Sequence, residues 1–196
     1  MSGALARLIR SGPALAAAGR PETCELCAAP VAEEHPHLFE TAAHEVRCVC
    51  GPCSVLFAEQ GSGGGRYRLV PRRRVRLAPV DTAALGVPVG LVFFVPRADG
   101  TVTAQGPSPA GAMRWEVDAD AWQGLAAACP PLGSVVPDVE ALLVNTVRGQ
   151  EEHWIVPVDD CFRMVALVRA EWQGLSGGDR VWPAVERFFA ELTERS

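Results

Sequence analysis

Cys24 and Cys27 enclose two residues, Cys50 and Cys53 enclose two more, and 22 residues separate the pairs. Two C-x2-C pairs at this separation are the layout of a four-thiolate tetrahedral metal site, each pair bending around one side of the ion. Thiolates are soft ligands that select zinc or iron. Four protein sulfurs leave no position for water or substrate, which points to structural zinc. The same tetrahedron serves a rubredoxin-like single iron, and an iron–sulfur cluster recruiting Cys48 is a third option. Cys48 otherwise reads as a strand thiol. His35, His37 and His44 fall between the pairs. With four cysteines already available, they are expected as exposed hairpin residues and not as ligands.

Other residue groups carry weaker chemistry. Arg66, Arg68, Arg72, Arg73, Arg74 and Arg76 place six guanidinium groups in eleven residues. They read as a docking patch for an acidic protein partner, or as a solvated strand face. Nucleic acid is the disfavoured occupant, because the net charge is −5 and only Tyr67 could stack within the stripe. All 18 basic residues are arginine. Without lysine there is neither a P-loop lysine nor a Schiff base, which excludes Walker-type ATPases, pyridoxal phosphate enzymes and protein kinases. His153, Asp159, Asp160 and Cys161 suggest a Cys/His nucleophile only superficially. Asp159 is expected to cap a helix, and Cys161 shares that helix's apolar stripe with Val165. No catalytic constellation emerges, and the chain is expected not to be an enzyme.

These residues need elements to hold them. Residues 1–20 read as an arm with a short helix over Ala4–Arg10, and residues 21–60 as the metal module. Within that module, His37–Thr41 and Glu45–Val49 form a hairpin, and Ser54–Glu59 a short helix. Residues 61–65 are a Gly-rich linker. Residues 66–196 form a larger α+β domain. Its strands are expected at Arg66–Val70, Val75–Leu77, Val89–Val95, Thr101–Gln105, Met113–Val117, Glu140–Val147 and Glu152–Val158. Its helices are expected at Asp118–Ala128, from Asp159 towards Gly174, and at Pro183–Glu194 with Val185, Phe188, Phe189 and Leu192 as its buried stripe. Strand pairs come first and helices cluster late, so the fold class is α+β: a small zinc-ribbon-like N-terminal module, then an antiparallel sheet with C-terminal helices. The longest apolar run, Val87–Pro96, is about half a membrane span. Five of the seven cysteines cluster with metal spacing, which suggests a reducing, cytoplasmic setting.

The order of motifs resembles an uncharacterised actinobacterial family encoded beside high-affinity nickel–iron hydrogenases. The stretches that carry it are CELCAAP at 24–30, EEHPHL at 33–38, CVCGPCSVLF at 48–57, GGGRYRLVP at 63–71, PVGLVFF at 88–94, PSPAGA at 107–112, PDVEALLVN at 137–145, VDDCFRMVALVR at 158–169 and GLSGG at 174–178. The resemblance implies an accessory role in hydrogenase assembly or electron supply, with a hydrogenase subunit or maturation factor as partner. It supplies no site residues. The combined expectation is a metal-binding accessory protein in which Cys24, Cys27, Cys50 and Cys53 hold zinc. The alternatives are a rubredoxin-like iron electron carrier and an arginine-mediated nucleic-acid binder.

Overall fold

A computed structural model describes residues 22–58, 65–109, 111–174 and 177–196. The expected N-terminal arm lies outside the described residues, as does all of the expected linker except Gly65. The chain divides into two compact units, Met1–Val70 and Pro71–Ser196.

The first unit is built on a three-stranded antiparallel sheet in the order β2-β1-β3. Strands β1 (His37–Glu40) and β2 (Glu45–Cys48) form the expected hairpin, with His37 opposite Cys48 and Glu40 opposite Glu45. A short helix, α1 (Gly51–Val55), starts at the second cysteine pair with a proline in its first turn, where a missing N–H costs nothing. It begins earlier than the expected Ser54–Glu59 helix. Strand β3 (Tyr67–Leu69) pairs with β1, Leu38 facing Leu69 and Glu40 facing Tyr67. That pairing corrects the expected boundary: residues 66–70 belong to the metal-side unit and not to the larger domain. Alternation of Arg66, Tyr67, Arg68 and Leu69 marks a half-buried strand but does not say which sheet takes it.

The second unit is a six-stranded antiparallel sheet in the order β4-β9-β8-β5-β6-β7. Its strands are β4 (Val75–Arg76), β5 (Leu91–Pro96), β6 (Val102–Ser108), β7 (Gly111–Val117), β8 (Glu140–Asn145) and β9 (Glu152–Pro157). Residues Leu91–Val95 of β5 are all buried, as is every residue of β8. Both faces of the sheet centre are therefore covered. On one face Val92, Phe94, Ala104, Leu142, Val144 and Ile155 pack with Trp122 of α2 (Ala119–Ala128). On the other lie α3 (Val158–Glu171) and α4 (Val181–Glu194), with Phe162 set edge-on to Phe93. The architecture is the expected α+β, antiparallel sheets with C-terminal helices.

Local chemistry explains most helix ends. Asp118 Oδ1 accepts from Ala121 N at 2.9 Å, a side-chain cap at the start of α2. Asp159 is a correction. Helix α3 begins at Val158 behind Pro157, and Asp159 sits in its first turn, accepting from Asp160 N at 2.9 Å. Val185, Phe188, Phe189 and Leu192 are buried on α4, as their spacing requires.

Candidate metal centre

The first cysteine pair lies in a tight turn. Cys24 N donates to Ala29 O at 2.7 Å and Ala28 N to Cys24 O at 2.8 Å. The turn puts Ala28 at φ 60°, the left-handed region where an alanine is uncommon. A two-way clamp fixes this turn to the end of β2: Glu25 N donates to Cys48 O at 2.9 Å, and Cys48 N to Glu25 Oε1 at 2.8 Å. The second pair is placed by α1, with Cys50 as its N-cap and Ser54 N donating to Cys50 O at 3.0 Å. Buried Leu38 and Val49 pack with Cys24, while Phe57 and Tyr67 meet edge to face beside them.

The result is convergence. The sulfurs of Cys24, Cys27, Cys50 and Cys53 all lie within 4.8 Å of one another. Cys27 Sγ and Cys50 Sγ are 3.7 Å apart. A tetrahedron with bonds of about 2.3 Å to sulfur has edges of roughly 3.8 Å, so the spacing fits a single ion. Such a group could hold a metal ion. Cys24 is buried and Cys27 is exposed, so the cluster reaches the surface on one side.

The thiols are electrostatically unequal. Burial pushes the Cys24 thiol up, but backbone donors at Cys50, Cys27 and Leu26 and a hydrogen bond from Cys27 outweigh it and hold the group at about 6. Cys53 is pushed up to about 12, first by its contacts with Cys50 and Cys27 and then by burial. Closely spaced thiolates resist joint ionisation. A cation removes that resistance.

The arginine patch resolves differently from expectation. Arg66 and Arg68 belong to the first unit, and Arg72, Arg73, Arg74 and Arg76 to the second. Arg66 binds the buried Glu40 through Nε and Nη2 at 3.0 and 2.8 Å, and Arg47 takes the other carboxylate oxygen. Hydrogen bonds from Arg66 and then Arg47 hold the Glu40 carboxyl below its ordinary value. Arg73 grips Glu140 with Nε at 3.0 Å and Nη2 at 2.7 Å. Arg74 Nε meets Asp160 Oδ2 at 2.7 Å, and Arg76 meets Glu152 at 3.0 Å. Glu40, Glu140 and Asp160 are buried carboxylates, and a buried charge requires a partner. Arg66, Arg73 and Arg74 are thus counter-ions of buried carboxylates, while the Arg76 pair with Glu152 is exposed. Cys161 is fully buried and burial pushes its thiol well above the ordinary value, which suits a core residue and not a nucleophile.

The histidines are not the exposed set expected. His44 is exposed, but His37 is half-buried and the His35 side chain retains only 5% of its accessible surface. The overlooked signal was local: two histidines at i and i+2 approaching a strand that pairs with a cysteine-bearing one.

Fold and site together define a two-unit α+β protein carrying a four-cysteine cluster able to hold a metal ion. The chain belongs to a family of unknown function, DUF5947, whose model matches residues 23–196. No curated protein and no solved structure matches it. Among the described residues no helix is long and apolar enough to cross a membrane.

Proposed function

We propose that this chain is a non-catalytic metal-binding accessory protein in which Cys24, Cys27, Cys50 and Cys53 hold a structural zinc ion. The observation that carries the reading is the convergence of four sulfurs, with a 3.7 Å separation matching a tetrahedral edge. Bound zinc would supply no redox chemistry and would fix the two cysteine turns against the small sheet. The accessory role rests on the resemblance to a family encoded beside nickel–iron hydrogenases, with a hydrogenase subunit or maturation factor as partner. Leu26, Val55 and Leu56 support docking: they are exposed large apolar residues within three positions of a clustered cysteine. Within the second unit, Arg72 is exposed and would suit an acidic partner surface.

The second reading, a rubredoxin-like iron carrier in the cytoplasm, uses the same four ligands. It is favoured by the exposure of Cys27, which brings the centre to the surface where an electron could leave. Elemental analysis with visible spectra, on protein purified with and without air, separates the two. Zinc gives a colourless protein; oxidised iron tetrathiolate is coloured. A metal-free, fully folded first unit would overturn both.

A further inference from the structure

Beside the tetrathiolate group the first unit assembles a second set of ligand atoms. The nitrogens of His35 and His37 and the sulfur of Cys48 lie within 4.8 Å of one another. The backbone makes this meeting unavoidable. His37 opens β1 and Cys48 closes β2, and the two are direct cross-strand partners, so their side chains share a face. Pro36 holds the chain before it extended, which returns His35 to the side occupied by His37. Val49 N donating to Pro36 O at 3.0 Å pins that extension to the neighbouring strand. The two imidazole rings sit edge to face with centroids 4.7 Å apart.

His35 supplies an independent indication. Its Nδ1 lies 2.8 Å from Ala32 O, an acceptor, so in the neutral ring Nδ1 carries the proton and Nε2 presents a lone pair. This is the backbone-anchored imidazole common among metal-ligating histidines. Yet Nε2 is buried and has no hydrogen-bond partner. Its nearest carboxylate oxygen, on Glu22, is 3.7 Å away, beyond hydrogen-bonding range. A buried, oriented, unpartnered nitrogen is costly unless something electrophilic occupies the space before it.

We propose that His35, His37 and Cys48 form a second metal site, mixed nitrogen and sulfur, taking a borderline-soft divalent ion of the zinc class and keeping a fourth position open. Imidazole with thiolate is a donor set for zinc and its neighbours, not for magnesium or calcium. Ligand separations in such a tetrahedron are roughly 3.4–3.7 Å, so no pair need close by more than about 1.4 Å, within reach of side-chain rotation. His37 and Cys48 are half-buried, while the His35 side chain is almost wholly enclosed. Binding would displace the Cys48 thiol proton to solvent and leave both imidazoles neutral. Three protein ligands and one open position distinguish this site from the closed tetrathiolate: water, or a donor atom from a partner, can complete it. None of its ligands is shared with the four-cysteine group, so ions at the two sites differ in their donor atoms.

The test uses the full-length protein, stripped of metal and titrated with zinc or with cobalt as a coloured substitute. Two ions per chain are expected, with a mixed sulfur and nitrogen shell by X-ray absorption at the zinc edge. His35→Ala and Cys48→Ser should each lose one ion of the two and leave an all-sulfur shell with the tetrathiolate cobalt spectrum unchanged. A single ion in an all-sulfur shell at zinc saturation of the wild type would overturn the proposal without recourse to any variant. Two ions retained in Cys48→Ser and His35→Ala would do the same. Failure of the tetrathiolate reading looks different: one ion, in a nitrogen-containing shell, lost on His35→Ala.

Discussion

The assignment of Arg73 as an internal counter-ion can be tested by removing it. Glu140 retains 1% of its side-chain surface, and Arg73 makes two near-parallel bonds to its oxygens at 3.0 and 2.7 Å. Arg73 also donates to Ser134 O at 3.0 Å, and Val136 N donates to Glu140 Oε2 at 2.8 Å. Arg73→Ala therefore leaves a buried carboxylate with one remaining donor. Removing one partner of a fully buried pair costs roughly 3–5 kcal/mol. Arg73 itself is 39% exposed, so water enters after truncation and the lower figure, about 2–3 kcal/mol, is expected. That corresponds to a fall in melting temperature on the order of 10 °C. Arg72→Ala, at an exposed neighbour, should stay within about 0.5 kcal/mol. The assay is urea unfolding followed by tryptophan fluorescence. All five tryptophans, Trp115, Trp122, Trp154, Trp172 and Trp182, lie in the second unit, so the signal reports that unit alone. A double-mutant cycle with Glu140→Gln should give a coupling energy above about 1 kcal/mol. Equal, negligible effects of Arg73→Ala and Arg72→Ala would refute the counter-ion reasoning and return these residues to the surface.

Three further outcomes are expected. Cys24→Ser or Cys53→Ser should abolish metal retention by the tetrathiolate group and, like strong chelation, unfold the first unit while tryptophan emission from the second stays native; a joint collapse of both units would argue against independent folding. His153 is buried in β9, and that burial lowers it from its ordinary value of 6.5 because the charged form is disfavoured. Its folded value lies below the unfolded one, so its stabilisation is complete above about pH 6.5 and is lost as pH falls through the folded value. Urea midpoints measured towards about pH 5 should therefore fall more steeply in the wild type than in His153→Gln, and parallel slopes would count against this. Gly106→Ala should destabilise the second unit by about 1–3 kcal/mol, since an added Cβ would stand 3.1 and 3.2 Å from Trp115 ring carbons and 3.3 Å from Leu91 O. A neutral result in the same urea assay would mean the ring yields.

Much of the fold was legible where chemistry is local. The turn after β5 follows from Asp99, whose Oδ1 accepts from both the N–H and the hydroxyl of Thr101. The α4 stripe follows from spacing alone. The C-x2-C pairs gave the four-sulfur group because each turn is its own signal. What stayed hidden depends on distant partners. Glu40, Glu140 and Asp160 look like surface carboxylates until arginines 26, 67 and 86 residues away arrive to neutralise them. Strand β4 is two residues long, too short for any periodicity to fix its place beside β9. Meeting His35 and His37 with Cys48 requires the hairpin register, in which a shift of one residue would turn Cys48 to the opposite face.

The placement of β3 also sets the order in which a growing chain can complete its first unit. Strand β1 is central, covered on one side by β2 and on the other by a strand that leaves the ribosome only after both cysteine pairs. All four clustered sulfurs are thus synthesised while one flank of β1 still presents unpaired backbone groups. A fragment that stops before residue 66 keeps every thiolate and yet carries a bare edge, a template for pairing with other chains. The Tyr67–Leu69 strand of a full-length copy fits the vacancy in such a fragment, the kind of exchange by which strand swapping makes dimers. An excised metal-side fragment that is to remain monomeric must therefore run through Val70.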